Sequence, residues 1–396
     1  MEIRHFRINR LKKYFYLLLF PIYLFIGILR LVRIVPRKYF IFGSAGGEAF
    51  IDNSKYLFLE NINNKDCIWI SHSQTVINDL KKNNIDRVHK SYSLKGLYYQ
   101  FFSKMVIISH GTFDLLPPLL LNLNIVQFWH GVPIKKIGND VVDNQKSWID
   151  KIWKNIFKIY PHLNNYYCNY FVDVTNSEYY LNFIPFKPKI IKIAYPRWNS
   201  FLKKEAYLDY KNNEQLDLLK KINSKGIKIV LYIPTYRDNI ESQKMLEEEI
   251  KKLAKIFSSD QNYYFVFKTH FILSDKLNFN IKGMCYIDLD PYPILELCSA
   301  LITDYSSIGI DYLLLNKPVC FFIFDREWYE KHPGCYFDLD ENLSELISMD
   351  FNDVYIKINK ELVGKADFSD RRKKLCSKLI DTKLIKNDRC DINELV

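Results

Sequence analysis

Short, nearly unbroken apolar runs recur along this chain, and between them apolar residues fall three and four positions apart. The runs at 39–42, 67–71, 106–109 and 125–129 are too short for helices and read as strands buried on both faces. Helical spacing predicts helices at 53–61, 73–83 and 115–122; 146–170 reads as helical and aromatic-rich, and 171–175 as a further strand. A second series begins near Lys189, with strands at 227–233, 263–268, 284–288, 300–303 and 319–324 and helices at 245–258, 293–298 and 307–315. Beyond Leu343 the sequence is charged and helical in pattern, and its last helix is expected to fold back on the first half. Alternation of this kind predicts an α/β protein with two largely parallel sheets, whose ligands bind beyond the carboxyl ends of the strands.

With 396 residues, more than one core is expected. The divisions predicted are a basic, apolar segment at 1–37, a first domain at 38–188, a second at 189–370 and a helical tail at 371–396. An apolar content of 48% excludes a disordered chain. The net charge of +11 suggests a nucleic-acid binder until it is located: the first 38 residues hold nine Lys or Arg against one acidic residue, leaving +3 for the rest. No nucleic-acid partner is therefore expected. Eight cysteines without a CxxC pair, several in apolar runs, predict buried thiols in a reducing compartment and no zinc site.

The sixteen uncharged residues at 14–29 are interrupted by Pro21 and flanked by basic clusters on both sides. That is short of the ~20 apolar residues a spanning helix needs. A segment lying on an anionic membrane surface fits better, with the protein peripheral at the cytoplasmic face.

Polar residues gather where strands end. After the run at 125–129 stands His130-Gly131-Val132-Pro133, and an imidazole there can accept a proton near neutral pH. The run at 227–233 is followed by Pro234-Thr235-Tyr236-Arg237-Asp238, and that at 263–267 by Lys268-Thr269-His270. Thr303-Asp304-Tyr305-Ser306-Ser307 then leads into a helix, where free backbone N–H groups and two hydroxyls suit a phosphate. Capping alone would account for one of Asp304, Ser306 and Ser307. Together these residues match a diphosphate site with a general base. His72 and His110 also end strand-like runs but lack basic neighbours. Two DxD pairs, at Asp288 and Asp290 and at Asp338 and Asp340, read as solvated turns. Absence of GxGxxG, GxxxxGK[ST] and GxSxG argues against dinucleotide-binding, P-loop and α/β-hydrolase folds.

The segments Phe128-Trp129-His130-Gly131-Val132-Pro133-Ile134-Lys135-Lys136, Pro234-Thr235-Tyr236-Arg237-Asp238, Lys268-Thr269-His270 and Thr303-Asp304-Tyr305-Ser306-Ser307 resemble the CDP-glycerol glycerophosphotransferases of teichoic-acid and capsule synthesis. Asp52-Asn53-Ser54-Lys55, Tyr195-Pro196-Arg197 and Gly334-Cys335-Tyr336-Phe337-Asp338 extend the resemblance over about 39–340, although Trp198-Asn199 departs from the family pattern after Arg197. The resemblance implies a GT-B fold, two Rossmann-like domains facing a cleft, and transfer of a polyol phosphate from CDP-glycerol or CDP-ribitol to a hydroxyl of a lipid-linked acceptor, with release of CMP. It implies His130 and His270 as catalytic residues. Arg237, Lys268, Thr303, Asp304, Ser306 and Ser307 would bind substrate, without a metal or other cofactor. The rival readings are a GT-B glycosyltransferase using a nucleotide sugar and a non-catalytic scaffold. A chain with little beyond an anchor and two domains is expected to add one or a few units.

Overall fold

The computed structural model describes Phe25, Leu29 and residues 36–396, apart from 141–147, 177–180, 185, 204–212, 236, 238–239, 269–282, 289, 332–333, 387–389, 391 and 396. The expected membrane segment therefore lies almost wholly outside the described residues, as does His270. Among the described residues no helix is long and apolar enough to cross a membrane.

The first half comprises β1 (Tyr39–Gly43), α1 (Asp52–Glu60), β2 (Cys67–Ser71), α2 (Gln74–Lys82), β3 (Val88–Lys90), α3 (Leu94–Phe101), β4 (Ser103–Ile108), β5 (Asn124–Gln127), α4 (Trp148–Ile159), β6 (Tyr170–Val172) and β7 (Lys189–Ile191). All seven strands are parallel, in the order β3-β2-β1-β4-β5-β6-β7. The short helix α5 (Asn199–Leu202) and α6 (Asn213–Ser224) lead into the second half. There follow β8 (Lys228–Ile233), α7 (Ile240–Ser258), β9 (Tyr263–Phe267), β10 (Met284–Tyr286), β11 (Ala300–Thr303), α8 (Ser307–Tyr312), β12 (Val319–Phe322), α9 (Arg326–Lys331), α10 (Leu339–Leu343), β13 (Ile347–Ser348), α11 (Phe351–Leu362) and α12 (Ser369–Leu379). The second sheet is also wholly parallel, ordered β10-β9-β8-β11-β12-β13.

Burial explains why the central strands were readable. Every residue of β2, β11 and β12 is buried, as a parallel sheet covered on both faces requires. Three of the four edge strands, β3, β7 and β13, are two or three residues long and partly polar, so they leave no such run. β7 pairs with β6, which places Lys189–Ile191 in the first sheet and moves the domain crossing beyond the expected 188/189 boundary. The helix expected at 115–122 is a 3₁₀ turn, Pro117–Leu120, because two successive prolines remove the N–H groups an α-helix would use. The helix expected at 293–298 shrinks to the 3₁₀ turn Tyr292–Ile294.

One apolar core runs through both halves, from Phe42 and Trp69 through Tyr195 and Trp198 to Leu231 and Phe321. The tail reaches back to the first half: Asn176 Nδ2 donates to the carbonyl of Ile380 at 2.9 Å, and Asp381 N–H to that of Val174 at 2.8 Å. All eight cysteines are free thiols. Burial pushes Cys298 and Cys320 up to about 12, which makes them core residues and not nucleophiles.

Candidate active site

In each sheet the strand order reverses once, between β1 and β4 in the first and between β8 and β11 in the second. Crevices of open parallel sheets form at such switch points. The carboxyl ends there carry Ser44 and His110 in one half and Thr235 and Asp304 in the other.

β4 and β5 are in parallel register, with Ile108 opposite Gln127, so the residues just beyond them meet. His110 and His130 stack with ring centroids 4.4 Å apart and planes 7° from parallel. The turn that presents His130 is tightly specified. Trp129 adopts φ +59, a left-handed conformation that side chains other than glycine rarely take, and Asn53 Nδ2 donates to its carbonyl at 2.9 Å. Gly131 follows at φ +125, and a Cβ there would stand 2.3 Å from Ser307 Oγ. Only glycine fits where the halves come this close.

Hydrogen bonds set both tautomers. His130 Nδ1–H donates to the Ser109 carbonyl at 3.2 Å, leaving the lone pair on Nε2. In His110 the Ala45 N–H donates to Nδ1 at 3.1 Å, so the ring proton sits on Nε2, 3.3 Å from Asp52 Oδ2. Burial holds both imidazoles neutral: His110 falls to about 4, with Arg197 adding to the effect, and His130 to about 3, where repulsion from His110, protonated only at such low pH, adds to the burial. Beneath them, Asp114 accepts the backbone N–H groups of Gly46, Ser109, His110 and Gly111 at 2.7 to 3.3 Å, and burial raises it to about 6.

Arg197 joins this group to the second half. Its guanidinium contacts Asp52 at 2.9 Å and Asp311 at 2.6 Å and lies 4.6 Å from the Tyr292 ring. Asp311 also accepts from Trp198 Nε1 and Tyr292 Oη, each at 2.9 Å. Burial leaves Asp52 and Asp311 above the ordinary carboxylate range although Arg197 opposes it. Trp198, which departs from the family pattern, is thus built into the interdomain contact. A second buried pair crosses nearby: Lys55 Nζ meets Asp290 Oδ2 at 2.7 Å, and Tyr56 donates to the same oxygen at 2.8 Å. Asp290 is therefore no solvated turn. In the other DxD pair, Asp338 caps α10 and Asp340 pairs with Arg326.

The residues expected to form the site divide. Trp129, His130, Gly131, Pro133 and Lys135 line a cleft of about 310 Å³ together with Thr235, Tyr305, Ser306 and Ser307, and Ser307 Oγ donates to the His130 carbonyl at 3.2 Å. Arg237 and Asp304 stand behind this wall. The Arg237 guanidinium is buried against Asp304 at 2.9 Å and Asp325 at 2.6 Å, so it is committed to carboxylates instead of facing a phosphate. Asp304 also takes the Thr235 N–H at 2.8 Å, and Thr303 Oγ1 donates to the Ile233 carbonyl at 2.7 Å, which fixes the junction of β8 and β11. Lys268 is half-buried at the end of β9. Asp52, His110 and Arg197 were not among the expected site residues. The signal for His110 was available, since two histidines ending adjacent parallel strands must be neighbours.

Two parallel-sheet halves facing a cleft, with a neutral imidazole on one wall and paired serines on the other, define a two-domain, GT-B-like transferase architecture. The solved structure of the wall teichoic acid polymerase TagF shares that fold, with a TM-score of 0.64 at 22% identity over 86% of this chain and 84% of that one. The model of the CDP-glycerol:poly(glycerophosphate) glycerophosphotransferase family matches residues 26–381, and the chain belongs to this family. It is 28% identical to the teichoic acid poly(glycerol phosphate) polymerase of Bacillus spizizenii, over 79% of this chain and 82% of that protein. To the teichoic acid glycerol-phosphate transferase of Staphylococcus aureus it is 24% identical, over 79% and 82%. Of the corresponding Staphylococcus epidermidis polymerase it spans only 43%.

Proposed function

We propose that this protein transfers glycerol phosphate from CDP-glycerol to a hydroxyl of a lipid-linked saccharide or polyol-phosphate acceptor in teichoic-acid or capsule-type polymer synthesis, at the cytoplasmic face of the membrane. The observation that carries this reading is the neutral His130, with Nδ1 held by Ser109 and its Nε2 lone pair left for a hydroxyl proton, in a cleft shared with Ser306 and Ser307. In the reaction the acceptor oxygen bonds to the phosphorus that bears glycerol. The bond from that phosphorus to the bridging oxygen breaks, and CMP leaves with the electron pair. The acceptor proton passes to Nε2. Ser306 and Ser307 hydroxyls and the N–H groups opening α8 would hold the diphosphate, with Lys268 and His270 as further contacts.

The test is nucleotide release by the purified protein, supplied in turn with CDP-glycerol, CDP-ribitol and a panel of nucleotide sugars in the presence of membrane lipids. CMP from CDP-glycerol alone is the expected result. CMP from CDP-ribitol alone would change the polyol, and a nucleoside diphosphate from a sugar donor would replace the reading with glycosyl transfer.

The pH profile follows from the same imidazoles. Because His130 is neutral down to about 3, kcat should show no acid inflection near the ordinary histidine value of ~6.5. Stability behaves differently. Both histidines take up protons more readily unfolded than folded, so their contribution is complete above ~6.5 and is lost as pH falls through the folded values of about 4 and about 3. Rates and melting temperatures measured from pH 8 to 5 should separate: flat kcat, with the two histidines lowering Tm below 6.5 against the smaller, opposite pull of Asp114, whose raised value of about 6 favours proton uptake by the folded state. A kcat that halves near 6.5 would mean that the base is solvated.

A further inference from the structure

Among the described residues, seven other than glycine adopt positive φ, and three of them surround one pair of rings. Ala45 (φ +51) stands just after β1, Asp52 (φ +61) opens α1, and Trp129 (φ +59) precedes His130. Three of the remaining four are asparagines, which enter the left-handed region readily, whereas alanine and tryptophan are strained there. Strain of this kind persists where the surrounding contacts over-determine it, and it gathers at functional sites. Here all three residues serve His110 and His130.

The turn at Ala45 aims its N–H at His110 Nδ1, 3.1 Å away, and Ser44 Oγ lies 3.4 Å from the same nitrogen. On the other side of the ring Asp52 Oδ2 accepts from Nε2 at 3.3 Å, while its second oxygen is held by Arg197 at 2.9 Å. Both ring nitrogens of His110 are thus engaged, and neither presents a lone pair to an acceptor hydroxyl. His110 is therefore no second base. What it offers His130 is a face, 4.4 Å away and 7° from parallel. The hydrogen bond from His130 Nδ1 to the Ser109 carbonyl, at 3.2 Å, fixes one nitrogen but leaves the ring free to tilt about that bond. The Trp129 ring, 4.2 Å off but inclined by 33°, is not a parallel plate. The stack on His110 is.

We propose that His110 is a positioning residue: its ring, anchored edge-on by Ala45 and Asp52, holds the plane of His130 so that Nε2 stays directed at the acceptor hydroxyl. This deepens the reading of His130 as the base and rests on it. A reacting group held to one orientation needs no reorganisation at the moment of proton transfer. The neutrality of His110 matters as well. When Nε2 of His130 takes the hydroxyl proton its ring becomes a cation, and a second imidazolium at stacking distance would repel it. His110 avoids this, because its Nε2 already carries a proton and its Nδ1 lone pair is occupied by the Ala45 N–H.

The test pairs His110→Phe, which keeps a flat neutral face, with His110→Leu, which fills a similar volume without one. Nitrogen NMR of the full-length protein with isotope-labelled histidines reads the tautomer of His130, whose signals are assigned by their loss in His130→Gln. Wild type and His110→Phe should show the Nδ1–H tautomer alone. In His110→Leu the ring tilts, its bond to Ser109 loosens, and both tautomers should appear. The rate constant kcat for CMP release should fall about tenfold or more in His110→Leu and stay within about threefold of wild type in His110→Phe, with KM for CDP-glycerol unchanged in both. A merely structural role would lower Tm and draw kcat down with it in both variants, without moving the tautomer. A single tautomer or a wild-type kcat in His110→Leu overturns the proposal. So does a His110→Phe protein as slow as His110→Leu, since the nitrogens and not the face would then matter. The spectra need no donor: a wild type that released no CMP would remove the reading of His130 as the base, and the tautomers would still decide whether His110 sets its ring.

Discussion

His130→Ala is expected to lower the rate of CMP release by about 10²- to 10⁴-fold, the usual contribution of a positioned general base. The donor should still bind. The imidazole does not hold up its own turn: the Trp129 carbonyl is tied to Asn53, and Gly131 is fixed by its contact with Ser307. The variant therefore keeps the backbone of the cleft and loses only the acceptor of the hydroxyl proton. His130→Gln, which keeps a polar side chain at the site without a comparable base, should be as inactive as alanine. Calorimetric titration with CDP-glycerol beside the rate measurement separates the two effects. A His130→Ala protein that turned over at near wild-type rate would remove this residue from the chemistry and would direct attention to His110.

Arg197→Met should cost roughly 3–5 kcal/mol of stability, the penalty for breaking a buried ion pair by removing one partner. The reason is asymmetry. Asp52 and Asp311 come from different halves, burial already pushes both carboxyls upward, and Arg197 is the cation that opposes this in each. Without it, two carboxylates must be protonated or hydrated within the core. Denaturant unfolding of the wild type and the variant measures the loss. Adding Asp52→Asn and Asp311→Asn to the Arg197→Met background should recover part of it, because the uncompensated charges are then gone. If Arg197→Met alone cost less than 1 kcal/mol, the cluster would be hydrated and the guanidinium would not bridge the halves. Activity should fall with stability, since Asp52 is also the partner of His110.

The central strands and His130 were legible because their causes are local. A strand buried on both faces is written as a continuous apolar run, and a polar residue immediately after one must lie at the ligand-binding end of the sheet. What escaped depended on partners distant in sequence. Arg197 lies 145 residues from Asp52 and 114 from Asp311, and no local pattern reveals such a meeting. Arg237 was expected at the phosphates because it follows a strand. Asp304 and Asp325, each at the end of another strand, capture it first. Helix α3 was missed because its apolar residues face away from the core and its small and polar ones face inward.

The buried pair of Lys55 and Asp290 has a consequence for how the protein is made. Its members are separated by 235 residues. At the usual translation speed of about 5–20 residues per second, Lys55 leaves the ribosome roughly 10–50 s before its counter-charge exists. For that interval the nascent first half carries an uncompensated lysine, and Asp52 likewise waits for Arg197. The first half can gather its strands in this time, yet the surface that will meet the second half must stay wet. Synthesis of the second half supplies the charges that allow water to leave.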